Sequence, residues 1–75
     1  MSKIEVRLFA TLRTGRDKQV YVDYRSPLTG RMVLDELNIS EDDTAIFLIN
    51  GRDGSLDQPL NPADYLSIFP PVGGG

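Results

Sequence analysis

Tyr65-Leu66-Ser67-Ile68-Phe69-Pro70-Pro71-Val72-Gly73-Gly74-Gly75 joins a strand to a tail. Tyr65, Ser67 and Phe69 fall on one side of a period-two repeat, and Leu66 and Ile68 on the other. The first five residues therefore read as a strand with an apolar face. Two prolines follow, each with φ fixed near −65°, so the chain should leave the strand along an extended, directed path. Three glycines come last. Without Cβ they can thread a slot too narrow for any other residue. At Gly75 the only functional group besides the amide is the α-carboxylate, and no side chain shields it. The tail reads either as a floppy terminus or as a reactive carboxylate held out for another protein to modify.

Working back from this stretch, Asn61-Pro62-Ala63-Asp64 is a turn, with Asn and Pro suited to its first two positions. Leu60 is a single core anchor. Arg52 to Gln58 is polar and should hold a short edge strand near Ser55-Leu56. Ala45 to Ile49 is an almost unbroken apolar run before a turn at Asn50-Gly51. It predicts a central strand buried on both faces. Asn38 to Thr44 forms an acidic loop. Met32, Val33, Leu34 and Leu37 have helical spacing, with Ser26 or Thr29 as N-cap. Gly30 should weaken that helix by about 1 kcal/mol relative to alanine.

Toward the N-terminus, Gln19 to Tyr24 and Lys3 to Phe9 both alternate. They are joined by a short loop centred on Gly15, which predicts an antiparallel hairpin. Phe9 falls on the polar face of its strand. It either wraps over an edge into the core or stands out as a docking residue. The order hairpin, helix, strand, short strand, last strand predicts an α+β fold of the ubiquitin-like β-grasp type. One main helix should cross one face of a mixed four- to five-stranded sheet. Residues 1–72 form the domain, and 73–75 a flexible glycine tail.

The chain has 75 residues, 40% of them hydrophobic, with no Cys and no His. One small core must hold it without disulfides or a Cys/His zinc site. The net charge of −3, from 8 basic and 11 acidic residues, argues against nucleic-acid binding, which needs a basic face. No apolar run is long enough to span a membrane, and no secretory leader is expected. The expected location is cytoplasmic. No imidazole base is available, and no Ser or Thr has an evident activating partner. Glu41-Asp42-Asp43 lacks the glycine and spacing of a calcium loop, so no metal site is expected.

The sequence resembles the MoaD/ThiS family of ubiquitin-like sulfur carriers, and is closer to its MoaD branch. The resemblance rests on Val6-Arg7-Leu8-Phe9-Ala10-Thr11-Leu12-Arg13, on Ile49-Asn50-Gly51, on Leu60 and Asp64, and on Phe69-Pro70-Pro71-Val72 running into the terminal Gly74-Gly75. The segment from Thr29 to Thr44 is shorter than is common in the family. Ala63 stands where Gly is frequent, and Gly73 where Ser or Thr is often found. Asp53 replaces an apolar residue of some relatives and bears on the docking surface.

The resemblance implies a carrier, with catalysis residing in its partners. A ubiquitin-activating-type (MoeB/ThiF-like) enzyme would adenylate Gly75 with ATP. Sulfur would then replace AMP to give a thiocarboxylate. The large subunit of molybdopterin synthase (MoaE-like) would receive the charged tail. No cofactor is expected on the carrier itself. Gly73 and Gly74 would thread the partner's channel. Phe9, Phe69, Pro70, Pro71 and Val72 would form an apolar docking patch at the base of the tail. The alternatives are a carrier for thiamine or another sulfur metabolite, and a modifier joined to lysines as ubiquitin is.

Overall fold

The computed structural model describes residues 3–13 and 17–71. Five strands, β1 (Lys3–Leu8), β2 (Gln19–Asp23), β3 (Ile46–Ile49), β4 (Arg52–Asp53) and β5 (Tyr65–Phe69), form one sheet in the order β2-β1-β5-β3-β4. The β1–β2 hairpin is antiparallel, β5 runs parallel to β1, and β3 is antiparallel to both β5 and β4. One helix, α1 (Gly30–Leu37), completes the β-grasp arrangement that the sequence predicts.

The core is built from the inward faces of β1, β2, β3 and β5. Ile4, Val6, Leu8, Val22, Phe47, Ile49, Leu66 and Ile68 meet Val33 and Leu34 of α1, with Leu28, Ile39 and Leu60 closing the rim. Period two on the strands and three-to-four spacing on the helix bring these side chains to one layer.

Three expectations are corrected. The central strand is β5, not β3, because the parallel crossover lays β5 between β1 and β3. Nor is β3 buried on both faces. Phe47 and Ile49 face the core, whereas Ile46 is 47% exposed and Leu48 half-buried. The short edge strand is Arg52–Asp53, not Ser55-Leu56. A tight turn places it, with Asn50 at φ 55° and Gly51 at φ 82°. Positive φ at both central positions gives the twist that closes a two-residue hairpin.

Thr29, not Ser26, caps α1. Its side chain accepts from the Met32 amide at 3.4 Å, and Asn38 ends the helix in the left-handed region. Gly30 is the first helical residue and is buried against the Phe47 ring, so its role is spatial. The acidic loop contains a single 3-10 turn, Glu41–Asp43, capped by Ser40. The Asn61–Asp64 turn forms as expected, with the Asp64 amide donating to the Asn61 carbonyl at 3.0 Å.

Arg31 ties the start of α1 to two loops. It contacts Glu41 at 2.6 Å and Asp57 at 2.9 Å. Hydrogen bonding to Arg31, followed by its charge, holds the Asp57 carboxyl below its ordinary value of 3.8. A carboxyl lowered in the folded state stabilises the fold above the unfolded value and loses that contribution as pH falls through the folded one. Arg31→Leu is therefore expected to flatten the acid limb of a Tm-against-pH curve below about pH 4. The change at neutral pH should be small, because all three side chains are exposed. An unchanged acid limb would show that the triad contributes nothing.

Candidate functional site

The site is assembled where β5 ends. As the central strand, β5 is held on both sides to its last residue. The Phe9 amide donates to the Ile68 carbonyl at 3.3 Å, and the Ala45 amide to the Phe69 carbonyl at 2.8 Å. Pro70 follows, half-buried, then exposed Pro71. With no N–H to offer, the prolines end the ladder here, and the preceding bonds fix where the chain leaves the sheet.

Phe9 and Phe69 lie together. Their ring centroids are 4.2 Å apart and their planes differ by 8°, a parallel stack. Both rings are half-buried, so Phe9 neither enters the core nor stands free. Ala10, at φ 54°, turns the backbone out of β1 immediately after Phe9. That positive φ is unusual for a residue with a Cβ and marks an imposed bend. The structure thus brings Phe9, Phe69 and Pro70 to one end of the open sheet face, with Pro71 next in the chain. Val72, Gly73, Gly74 and Gly75 lie outside the described residues, as does the expected boundary between domain and tail.

The same face holds residues the sequence did not single out. Ile46 is opposite Phe69 in the β3–β5 register, and Leu48 is opposite the buried Ser67. The strict alternation Ile46/Leu48 against Phe47/Ile49 was the available signal, masked because all four are apolar. Beside them the Arg7 guanidinium sits 4.4 Å from the Tyr65 ring centroid. Arg7 Nε donates to Glu5 at 2.6 Å, and Gln19 donates to the same carboxylate oxygen at 2.6 Å. The Arg7 bond is the main cause holding the Glu5 carboxyl below its ordinary 4.5; partial burial opposes it, and the Gln19 bond adds to it. A cleft of about 330 Å³ lined by Glu5, Arg7, Leu8, Phe9, Lys18 and Gln19 borders the Phe9 side. The face is thus an apolar strip, Ile46, Leu48, Phe69 and Phe9, rimmed by Arg7 and Lys18. It offers contact area and cation–π recognition.

Among the described residues no group of three or more His, Cys, Asp or Glu could hold a metal ion, and no helix is long and apolar enough to cross a membrane.

β5, the central strand of this ubiquitin-like β-grasp body, runs into Pro70 and Pro71. The chain belongs to the ThiS family, whose profile matches residues 6–75. None of the curated protein sequences matches it. It is similar in structure to the small archaeal modifier protein 1 of Haloferax volcanii, with TM-score 0.77 and 26% identity over 96% of this chain and 100% of that one. A Pyrococcus furiosus protein assigned as molybdopterin-converting factor subunit 1 aligns with TM-score 0.76 and 23% identity, over 96% and 100% of the two chains. A chain of the complex of molybdopterin-converting factor subunits 1 and 2 from Helicobacter pylori aligns with TM-score 0.65 and 22% identity, over 97% and 99%. The last two likenesses bear on the fold.

Proposed function

We propose that this protein is a sulfur carrier for molybdopterin synthesis, with the Gly75 carboxylate as the group that is charged. The observation carrying this reading is the ThiS-family match extending to residue 75, on a tail that leaves the central strand. A free carboxylate at neutral pH resists nucleophiles. Attack of the carboxylate on the α-phosphate of ATP, in an activating partner, releases pyrophosphate and gives an acyl adenylate. A sulfide nucleophile then adds to the acyl carbon and AMP leaves, which yields the thiocarboxylate. Phe69-Pro70-Pro71-Val72 supports the molybdopterin branch. In that branch the charged tail enters a large-subunit partner.

The test is intact mass after incubation with the cognate activating enzyme, ATP and a sulfur source. A gain equal to one oxygen exchanged for one sulfur, lost on addition of the large subunit and pterin precursor, is expected. An unchanged mass would overturn the reading. Docking is assigned to the strip around Phe9, Phe69 and Ile46. Ile46→Asp and Phe9→Ala are each expected to weaken large-subunit binding by roughly tenfold or more, as for the central apolar anchors of an interface. Calorimetric titration measures this, and native affinity in both variants would remove the strip from the interface.

A second reading, protein modification, is favoured by the 26% identity to an archaeal modifier protein. It requires a lysine amine in place of sulfide at the same acyl carbon. Larger adducts in cells, lost on deleting Gly74 and Gly75, would identify it.

A further inference from the structure

We propose that the β2 edge of the sheet pairs with the β2 edge of a second copy of this chain, giving a weak dimer with a continuous sheet. The two edges of the sheet differ. At one end β4 is two residues long, too short to template another strand. At the other, β2 runs five residues, Gln19-Val20-Tyr21-Val22-Asp23, with no proline. An edge of that length and composition is a ready template for pairing.

Its register decides which groups face outward. The Leu8 amide bonds the Lys18 carbonyl at 2.8 Å, and β1 and β2 continue in the register Arg7↔Gln19 to Lys3↔Asp23. In an antiparallel ladder, bonded and non-bonded pairs alternate. Val20 and Val22 therefore bond β1, and the backbone N–H and C=O groups of Gln19, Tyr21 and Asp23 point away from it.

A two-fold axis through Tyr21 pairs these groups with their own copies. Tyr21 meets Tyr21 of the second copy, and Gln19 meets Asp23, so every outward donor faces an outward acceptor. The charges match as well. Two residues beyond the strand at either end, continuing the same register, Asp17 of one copy faces Arg25 of the other, twice per dimer. Side chains also match. Tyr21 is 57% exposed and Met32 46% exposed. Both flank this edge: Met32 with Val22 and Leu28 in a cleft of about 410 Å³, and Tyr21 with Val22 and Leu37 in one of about 230 Å³. Val20 of the second copy is delivered opposite Val22, beside the Met32 cleft. The β5 strands would lie five strand spacings apart, roughly 24 Å, and run antiparallel, so the two tails leave at opposite ends and neither is blocked.

Sedimentation equilibrium of the full chain over a concentration series into the millimolar range tests this. The expected result is a reversible monomer–dimer equilibrium. Asp17→Arg or Arg25→Asp alone should weaken it by roughly tenfold, since each places two like-charged pairs in register. The double swap D17R/R25D should restore it. Tyr21→Pro, which removes the central outward N–H, should abolish it. Should that variant not fold, the charge swap decides alone. A monomer at every concentration overturns the proposal. So does a dimer indifferent to the swaps, including one that uses the Ile46 strip and is lost in Ile46→Asp.

Discussion

Deleting Gly74 and Gly75 is expected to abolish thiocarboxylate formation while leaving the thermal midpoint unchanged. The argument separates reactivity from stability. The core closes with Leu66 and Ile68 on β5, and the Phe9–Phe69 stack seals the end of that strand. These contacts do not involve the last two residues, so deleting them leaves the contacts in place. The truncated chain still ends in a carboxylate, but at Gly73, two residues short of the reacting centre. Misplacing a reacting group by even 1 Å can cost roughly 100-fold in rate. A two-residue shortening, several ångströms of extended chain, should therefore remove the product altogether. Gly74→Val should act in the same direction at full length, because a branched Cβ widens the segment and restricts φ. Mass spectrometry of the charged product, paired with a thermal melt, separates the outcomes. A truncated chain that is still charged at the native rate would defeat the assignment of Gly75. A lowered midpoint would mean that the glycines pack on the body.

Gly30→Ala is expected to destabilise the fold by about 1–3 kcal/mol, the usual cost of overpacking a filled core. For a domain of this size, each kcal/mol shifts Tm by roughly 4–8 °C. Helix propensity alone predicts the opposite sign, because alanine is the better helix former by about 1 kcal/mol. Packing decides. A Cβ on Gly30 would lie 2.3 Å from Cζ of Phe47 and 2.9 Å from its Cε2. That ring belongs to the buried core and is 7% exposed. The check is a double-mutant comparison. Gly30→Ala in a Phe47→Leu background should cost much less than in the parent, since the clashing ring atoms are gone. Equal costs in both backgrounds would place the effect in the backbone.

These two positions show different degrees of legibility. The tail is read from residue type and order alone, prolines followed by glycines and a terminal carboxylate, and its last four residues lie outside those described. Gly30 could not be read this way, because its meaning lies in a ring seventeen residues away in the chain. The strands were legible where polar and apolar residues alternate, as in Lys3–Leu8 and Gln19–Asp23. Ile46–Ile49 misled because four consecutive apolar residues erase the difference between a strand covered on both faces and one whose second face is open.

Sequence alone determined the α+β class, the hairpin, the helix, the single core and the glycine terminus, since each follows from local periodicity and turn chemistry. Tertiary structure alone decided that β5 lies at the centre, that Phe9 stacks on Phe69, and that Ile46 and Leu48 join them on the open face. These features depend on strand order. Strand order is set by the crossover that packs α1 against the sheet, where residues distant in the chain compete for one core, and no local pattern encodes the winner.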